Sequence, residues 1–468
     1  MPRPNIIWLT LESARADRTT MGGHYRDTTP NLSRIAASSN GVWFPNCFSH
    51  ARWTPESTTS ILTSTYSSTH RVGFEGSDPG KIPAELQTVP ERLSERGYRT
   101  AMVTGNGYTT SSIGLAERFD DFDFPMGEDL RSIEGISTAI EYLTDFGTYG
   151  VAELSPTKLK RAVVPLLRAV VLKRRLKNLA QSDEPFFLYA HMNNLHSPYR
   201  PPPSFLKPFA DDFRMTREQA VRFAQHVNDT IIDQTAHGSR FTPDEWAALK
   251  ATYDGEFAFA DALVGDVFTL SRRLDLSDTI FVVTGDHGEL FGEQNLVSHN
   301  LVLHDGLTNV PMVVHGLPSL AERSNDIVGH VDVMRTLLER AGASVDGTHG
   351  IDLATETSEY AITQRGSTAE ILSNLVEYNP DFDTERFHEG ELSCIRSAEF
   401  KYQRSADRAE LFRLPDETTD VSENYPDIAA RLDAELDRRV SDTASYDRSK
   451  DAEFTDAMEE QLRDLGYL

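Results

Sequence analysis

The sequence predicts an α/β protein with a large, mostly parallel β-sheet flanked by helices, followed by a smaller C-terminal antiparallel sheet plus a helix. Three observations predict this architecture. Short continuous apolar runs are typical of strands that are buried on both faces of a parallel sheet. These runs alternate with segments of helical spacing, and the pattern changes to alternating exposure from about residue 356. We therefore expect two domains, 1–355 and 356–468.

The first domain is predicted from its apolar runs and from the residues that start and stop helices. The runs predict strands at 5–11, 99–104, 185–192, 279–288 and 310–316. Helical spacing predicts helices at 29–39, 89–96 and 331–342, with Gly97 and Gly342 as stops. Strands that alternate with helices form a doubly wound sheet, whose chemistry lies at the carboxyl ends of its strands.

The C-terminal domain is predicted from a different pattern. Segments 392–405 and 409–416 alternate in polarity as exposed antiparallel strands do, and the strongly charged segment 425–440 has helical spacing.

The overall composition indicates a soluble, acidic protein. The chain has 468 residues, with 72 acidic against 46 basic side chains and a net charge of −26. This balance argues against nucleic-acid binding and is typical of a solvated surface in a salt-rich, halophilic cytoplasm. Cys47 and Cys394 form no disulfide framework or zinc motif. Since no signal peptide and no run of 18 apolar residues is seen, we expect a cytoplasmic location.

Segment 157–180 is basic against this acidic background and contains no acidic residue. One interpretation is an amphipathic helix that contacts a membrane surface or an anionic substrate. The alternative is a helix docked on the protein's own acidic residues. Pro165 predicts a break within it.

Polar residues follow two of the predicted strands. Glu12 ends the first strand, and Asp286 and His287 end the strand near residue 285. Carboxylates and an imidazole that converge on one point bind a divalent cation. If Thr54 joins them, the cation lowers the pKa of its hydroxyl and makes it a nucleophile.

These segments resemble the sulfatase family, within the alkaline phosphatase superfamily. The resemblance is carried by NIIWLTLESARAD, TPNLSRIAASSNGVWFPNCFS, GYRTAMVTGN, FFLYAHMNNLHSPYRPP and FVVTGDHGELFGEQNLVSHN, which keep the order of the family. It implies an alkaline phosphatase-like fold, with 1–355 as the catalytic domain. It also implies metal binding by Glu12, Asp286, His287 and Thr54. The favoured ions are Mn²⁺ or Mg²⁺, with Ca²⁺ or Zn²⁺ as alternatives.

Thr54 falls where sulfatases carry the Cys or Ser that is oxidised to formylglycine, in a register set by SILTS at 60–64. Threonine cannot form this aldehyde, and the resemblance implies instead a direct Thr nucleophile, as in the phosphodiesterase and phosphotransferase branches. Ser57 is the rival hydroxyl, expected to cap the helix that follows.

The resemblance also implies roles for several side chains that meet the substrate. His196 and His299 are expected to stabilise the transferred group or the leaving oxygen, and Asn106 is expected to donate to an oxyanion. His70 is a weaker candidate, and the pair His304–Asp305 is expected to be structural.

The predicted function is therefore metal-dependent hydrolysis of sulfate or phosphate esters through Thr54. The ester is expected on a small molecule, a glycan or a lipid-linked group. One alternative is a phosphoethanolamine- or glycerophosphate-type phosphotransferase that acts on a lipid or glycan. Another is a catalytically inactive protein that binds an anionic glycan.

Overall fold

A computed structural model describes residues 3–74, 79–125, 156–276, 278–440, 446, 451–455 and 458–459, with only the backbone described for 156–165. Its strands are β1 Asn5–Leu11, β2 Gly41–Trp43, β3 Cys47–Phe48, β4 Arg99–Thr104, β5 Asp121–Asp123, β6 Phe186–Met192, β7 Thr279–Gly285, β8 Leu290–Phe291, β9 Val297–Ser298, β10 Met312–His315, β11 Val328–Gly329, β12 Ala361–Arg365, β13 Leu392–Arg396, β14 Phe400–Arg404 and β15 Ala409–Arg413.

Its α-helices span Pro30–Ala36, Thr54–Thr63, Ser67–His70, Val89–Ser94, Pro156–Leu179, Pro203–Leu206, Arg217–Asp229, Ile231–His237, Pro243–Arg273, Asp305–Thr308, His330–Ala341, Ala369–Tyr378 and Pro426–Val440. Short 3-10 helices span Ala16–Arg18, Gly107–Thr109, Ser111–Ile113, Ala116–Arg118, Lys207–Asp212, Glu293–Asn295, Pro318–Arg323 and Thr384–Arg386.

The described residues form a seven-stranded central sheet with the order β2-β10-β7-β1-β6-β4-β5. β1 lies at its centre and pairs in parallel with both β6 and β7, while β10 runs antiparallel to β7 and β2. The mostly parallel sheet is confirmed, because apolar strands such as β1 are covered on both faces by packed helices.

Two strand boundaries differ from the prediction. β7 ends at Gly285, opposite Leu11 of β1, three residues before the predicted end. Beyond this point Asp286 accepts hydrogen bonds from the backbone N–H groups of Ser13 and His287, so the chain turns away from the sheet. β10 is likewise shorter, at Met312–His315.

The segment Pro156–Leu179, which we call the basic helix, runs through Pro165 without the predicted break. Its buried residues, Leu166, Leu167, Val170, Leu172 and Leu176, pack into the core. Burial of these side chains outweighs the loss of one backbone hydrogen bond at a proline. Among the described helices, none is long and apolar enough to cross a membrane.

The C-terminal part contains the antiparallel sheet β12-β13-β14-β15, with the helix Pro426–Val440 packed on it. Leu432 and Leu436 of this helix are buried with Ile395 and Tyr402 of the sheet. The predicted smaller antiparallel sheet plus helix is thus present; the boundary at 355/356 stays a prediction.

Candidate active site

The candidate site lies at the carboxyl edge of the central sheet. Glu12 follows β1, Asp286 and His287 follow β7, and Asn106 lies two residues after β4. Leu11 pairs with both Met192 and Gly285, so the ends of β1, β6 and β7 lie at the same level. Parallel strands that end together bring the residues after them into one crevice.

Thr54 is the first residue of the helix Thr54–Thr63 and is fully buried with Glu12 and His287. Its hydroxyl donates to Glu12 Oε1 over 3.1 Å, and Thr54 Oγ1 lies 3.3 Å from His287 Nε2. Pro55, at the second position of the helix, suits a helix start because no backbone N–H is lost there. The helix therefore begins where its first hydroxyl faces the strand ends.

Asp286 and His287 are held in place by the backbone around them. His287 Nδ1 donates to the carbonyl of Gly288 over 2.8 Å, so in the neutral ring the lone pair of Nε2 faces Thr54. Burial lowers the pKa of His287, although Asp286 opposes this effect. The Oδ2 atom of Asp286 is buried without a hydrogen-bond partner.

Glu12 is surrounded by donors. Asn106 Nδ2 donates to Glu12 Oε1 over 2.6 Å, and His191 Nε2 lies 3.2 Å from Glu12 Oε2. Burial alone would raise the pKa of Glu12, but the hydrogen bond from His191 and the nearby imidazoles lower it to about 2. Burial likewise opposes protonation of His191, yet Glu12 and Asp286 raise its pKa. The carboxylate of Glu12 is thus ionised.

Sequence reasoning missed His191. Its Nε2 also lies 3.9 Å from Asp286 Oδ2, so it touches both carboxylates of the site. The signal was present in FFLYAHM, where one ionisable residue interrupts an apolar run near the end of a strand. Glu289 was missed as well: it lies 3.5 Å from His299 Nδ1 and accepts a hydrogen bond from the hydroxyl of Tyr199.

The two other predicted histidines are brought to the same place. His196 Nε2 lies 4.0 Å from Glu12 Oε1, and the ring of His299 lies 4.8 Å from the ring of His287 and 5.6 Å from that of His196. Asn106 is present too, with its carbonyl oxygen accepting from the backbone N–H of Tyr108. All predicted site residues therefore converge.

Three weaker candidates have structural contacts. Ser57 does not cap the helix: it lies in the first turn, and its hydroxyl donates to the carbonyl of Asp286 over 2.6 Å. The prediction was wrong because the helix begins at Thr54, three residues earlier. His70 bonds to Ser60, away from the strand ends. Asp305 pairs with Lys401 and Arg396.

A divalent cation at this site would have four donors, Glu12, Asp286, His287 and Thr54. In the part of the chain that the structure describes, no three His, Cys, Asp or Glu side chains form a preformed metal cage, and the carboxylate of Glu12 accepts hydrogen bonds from Thr54 and Asn106. The chemistry nevertheless fits. Two buried carboxylates, one of them with a bare Oδ2, face an imidazole nitrogen and a hydroxyl, and hard divalent ions bind such groups.

Comparison with known proteins places the chain in a family. The family model described as Sulfatase matches residues 4–343. Arylsulfatase K of Canis lupus familiaris is 24% identical over 471 residues, which cover 92% of this chain and 82% of that protein.

Two solved structures have the same fold. The phosphonate monoester hydrolase of Agrobacterium radiobacter superposes with a TM-score of 0.69 at 19% identity, over 94% of this chain and 96% of that one. BT4656, in complex with its substrate D-glucosamine-2-N,6-O-disulfate, has a TM-score of 0.65 at 17% identity, over 94% and 99%. Since the Sulfatase model matches most of its length, the chain belongs to the sulfatase family.

Proposed function

We propose that this sulfatase-family hydrolase is metal-dependent and cleaves sulfate or phosphate esters with Thr54 as its nucleophile. The observation that carries the proposal is the position of the Thr54 hydroxyl, buried at the start of a helix between Glu12 and His287. A buried hydroxyl between a carboxylate and an imidazole is placed for activation, and a helix N-terminus favours the negative charge that develops on it.

The residues that would hold the metal are Glu12, Asp286, His287 and Thr54. When bound there, a divalent ion lowers the pKa of the Thr54 hydroxyl and draws charge from the non-bridging ester oxygens. A nitrogen ligand favours Mn²⁺ or Zn²⁺ over Ca²⁺, and Mg²⁺ is the other candidate when a phosphate ester is the substrate.

The reaction has two displacements. Thr54 Oγ1 passes its proton to Glu12 Oε1, the acceptor of its hydrogen bond, and bonds to sulfur or phosphorus while the bond to the leaving oxygen breaks. His196 and His299 donate hydrogen bonds to the leaving oxygen, and one of them gives it a proton. Water then attacks the covalent ester and gives a proton to that histidine, while the bond to Thr54 Oγ1 breaks and this oxygen takes back its proton from Glu12. His191 and Asn106 keep the Glu12 carboxylate in place throughout.

Threonine sets the chemical class of the intermediate. Its hydroxyl is secondary, so oxidation cannot produce the aldehyde of formylglycine. The covalent intermediate is therefore an ester of Thr54 itself, and it can be detected by mass.

The substrate class is supported by the relatives. The neighbour BT4656 binds a sulfated sugar, and another neighbour is a phosphonate monoester hydrolase. We propose an anionic ester on a small molecule or a glycan. A phosphotransferase acting on a lipid would need membrane contact through 157–180, but the basic residues of this segment whose contacts are seen, Arg168, Lys173 and Arg175, bond within the protein.

The buried free thiols of Cys47 and Cys394 support a reducing, cytoplasmic location.

The experiment is intact-protein mass spectrometry after brief, acid-quenched incubation with aryl phosphodiester and aryl sulfate substrates plus Mn²⁺. We expect an adduct on Thr54 that is absent in Thr54→Ala, with turnover lowered at least about a thousandfold. Ser57→Ala is the matched control, since it removes the rival hydroxyl and should keep the adduct. A phosphate adduct assigns phosphoryl transfer, and a sulfate adduct assigns sulfuryl transfer. If neither adduct nor turnover appears with any divalent metal, the inactive binding protein becomes the better interpretation.

A further inference from the structure

The site is rich in carboxylates, although the proposed substrate is itself an anion. The side chains of Glu12, Asp286 and Glu289 are all buried at the strand ends, and the ester group itself is an anion. Burial of like charges in one crevice is unfavourable unless cations oppose them. Beyond a bound metal ion, the chain must therefore supply positive charge.

Arg168 of the basic helix is such a cation at the same edge of the sheet. Its Nη1 donates to Asn193 Oδ1, just beyond the end of β6. The helix is fixed here because the adjacent Ala169 and Leu172 are packed in the core. The guanidinium is therefore carried to the strand ends by a rigid element.

Gly105 admits the guanidinium to this position. A Cβ atom on Gly105 would lie 2.7 Å from Arg168 Nη1 and 2.6 Å from Asn193 Oδ1, so any other residue would displace one of them. Gly105 directly precedes Asn106, whose amide contacts Glu12. Arg168 therefore lies beside Gly105, and the next residue, Asn106, contacts the predicted metal ligand Glu12.

The contacts of Arg168 differ from those of its neighbours on the helix. Lys173 pairs with Asp266, and Arg175 pairs with Asp121 and Asp123. Arg168 bonds to a neutral amide, and among the described residues no carboxylate forms an ion pair with it. Its Nε is buried without a partner, while part of the side chain stays accessible. Burial lowers the pKa of Arg168 to about 10, and Glu12 opposes the shift, so the group is charged at neutral pH.

We propose that Arg168 is a substrate-binding residue, whose guanidinium binds the non-bridging oxygens of the sulfate or phosphate group at this site. Guanidinium groups bind tetrahedral oxyanions through paired, charge-assisted hydrogen bonds. This inference rests on the proposed function. It also gives one residue of the basic segment a role inside the site.

The test is calorimetric titration of inorganic phosphate and of sulfate into the Mn²⁺-loaded full-length protein. We expect Arg168→Gln to weaken anion binding at least tenfold and Arg168→Lys to weaken it less. Lysine keeps the positive charge but lacks the paired N–H donors of the guanidinium group. Arg175→Gln, on the same helix, is the matched control and should stay within twofold. With an aryl ester, KM should rise in Arg168→Gln.

Mn²⁺ affinity separates anion binding from a structural role. Loss of a positive charge near Glu12 should leave Mn²⁺ binding as tight as in the wild type or tighter, whereas collapse of the site would weaken both ligands. An anion Kd of Arg168→Gln within twofold of the wild type, or parallel loss of Mn²⁺, overturns the inference. A Thr54 adduct in the wild type would show that the proposed function survives. If the wild type binds neither anion and forms no adduct, both fail.

Discussion

The carboxylate of Glu12 contacts several of the other side chains of the site. Thr54 and Asn106 share its Oε1, while His191 contacts its Oε2. The sequence identified Glu12, Thr54 and Asn106, since each belongs to a motif that the family resemblance aligned. It missed His191 because a lone histidine inside an apolar strand is usually a satisfied core residue. Only the pairing of β6 with β1 places it beside Glu12.

At this residue scale, we predict that His191→Gln weakens Mn²⁺ binding roughly ten- to hundredfold, the usual effect of losing a partner that orients a metal ligand. The buried hydrogen bond to Glu12 would be lengthened or lost, and the carboxylate would move. Calorimetric titration of the metal-free protein with Mn²⁺ measures the change. His315→Gln, at the end of β10 away from the site, should bind Mn²⁺ as the wild type does. Equal affinity in His191→Gln would contradict the orienting role.

At the scale of elements, a buried cation is among the contacts that attach the C-terminal sheet to the rest of the chain. Lys401 of β14 contacts Asp305 Oδ1 at 3.1 Å and Glu417 Oε2 at 2.5 Å. These opposite charges overcome the effect of burial and raise the pKa of Lys401. Arg404, the last residue of β14, instead pairs with the more exposed Asp433. The sheet was predictable from alternating polarity, but this attachment was not, because it joins residues almost 100 positions apart.

We predict that Lys401→Met lowers the free energy of unfolding by about 3–5 kcal/mol, since it leaves the buried carboxylate of Glu417 without its lysine partner. Arg404→Gln removes a solvent-exposed pair from the same strand and should change it by less than about 1 kcal/mol. Urea denaturation followed by circular dichroism measures both variants. Similar effects of the two substitutions would count against the buried attachment.

At the scale of the whole molecule, four buried histidines lie between the helix Thr54–Thr63 and the C-terminal sheet. Burial lowers the pKa of His50 to about 4 and those of His70, His330 and His349 to about 3. His50 Nε2 and His349 Nδ1 accept hydrogen bonds from backbone N–H groups, which a proton on either nitrogen would abolish. The fold thus requires neutral rings.

These histidines make the folded state sensitive to acid. Below pH 6.5 each of these histidines binds a proton in the unfolded chain but stays neutral in the folded chain, down to about pH 4 for His50 and about pH 3 for the other three. The free energy of unfolding therefore falls as the pH falls through this range. Glu56 and Asp332, whose pKa values burial raises to about 8 and about 6, act in the opposite direction. Subtracting the free energy of unfolding of a single histidine variant from that of the wild type therefore isolates the effect of that histidine.

We predict that the difference in free energy of unfolding between the wild type and His50→Gln narrows by about 1.4 kcal/mol per pH unit as the pH falls from 6 to 4.5. The reason is that the variant has no imidazole at position 50 to take up a proton on unfolding. Urea denaturation at several pH values measures the gap. His226→Gln, which replaces an exposed histidine, is the control for the substitution itself. A constant gap for His50→Gln would contradict the burial of a neutral ring.

The sequence by itself determined five of the seven strands of the central sheet and the residues at their ends, since buried parallel strands are continuous apolar runs and polar residues follow where they stop. It also predicted a threonine as the nucleophile, from the register of one motif, and this stays a prediction. Only the tertiary structure decided which side chains surround these residues. His191 lies beside Glu12 because β6 pairs with β1, and the sequence of one strand does not say which strand will pair with it.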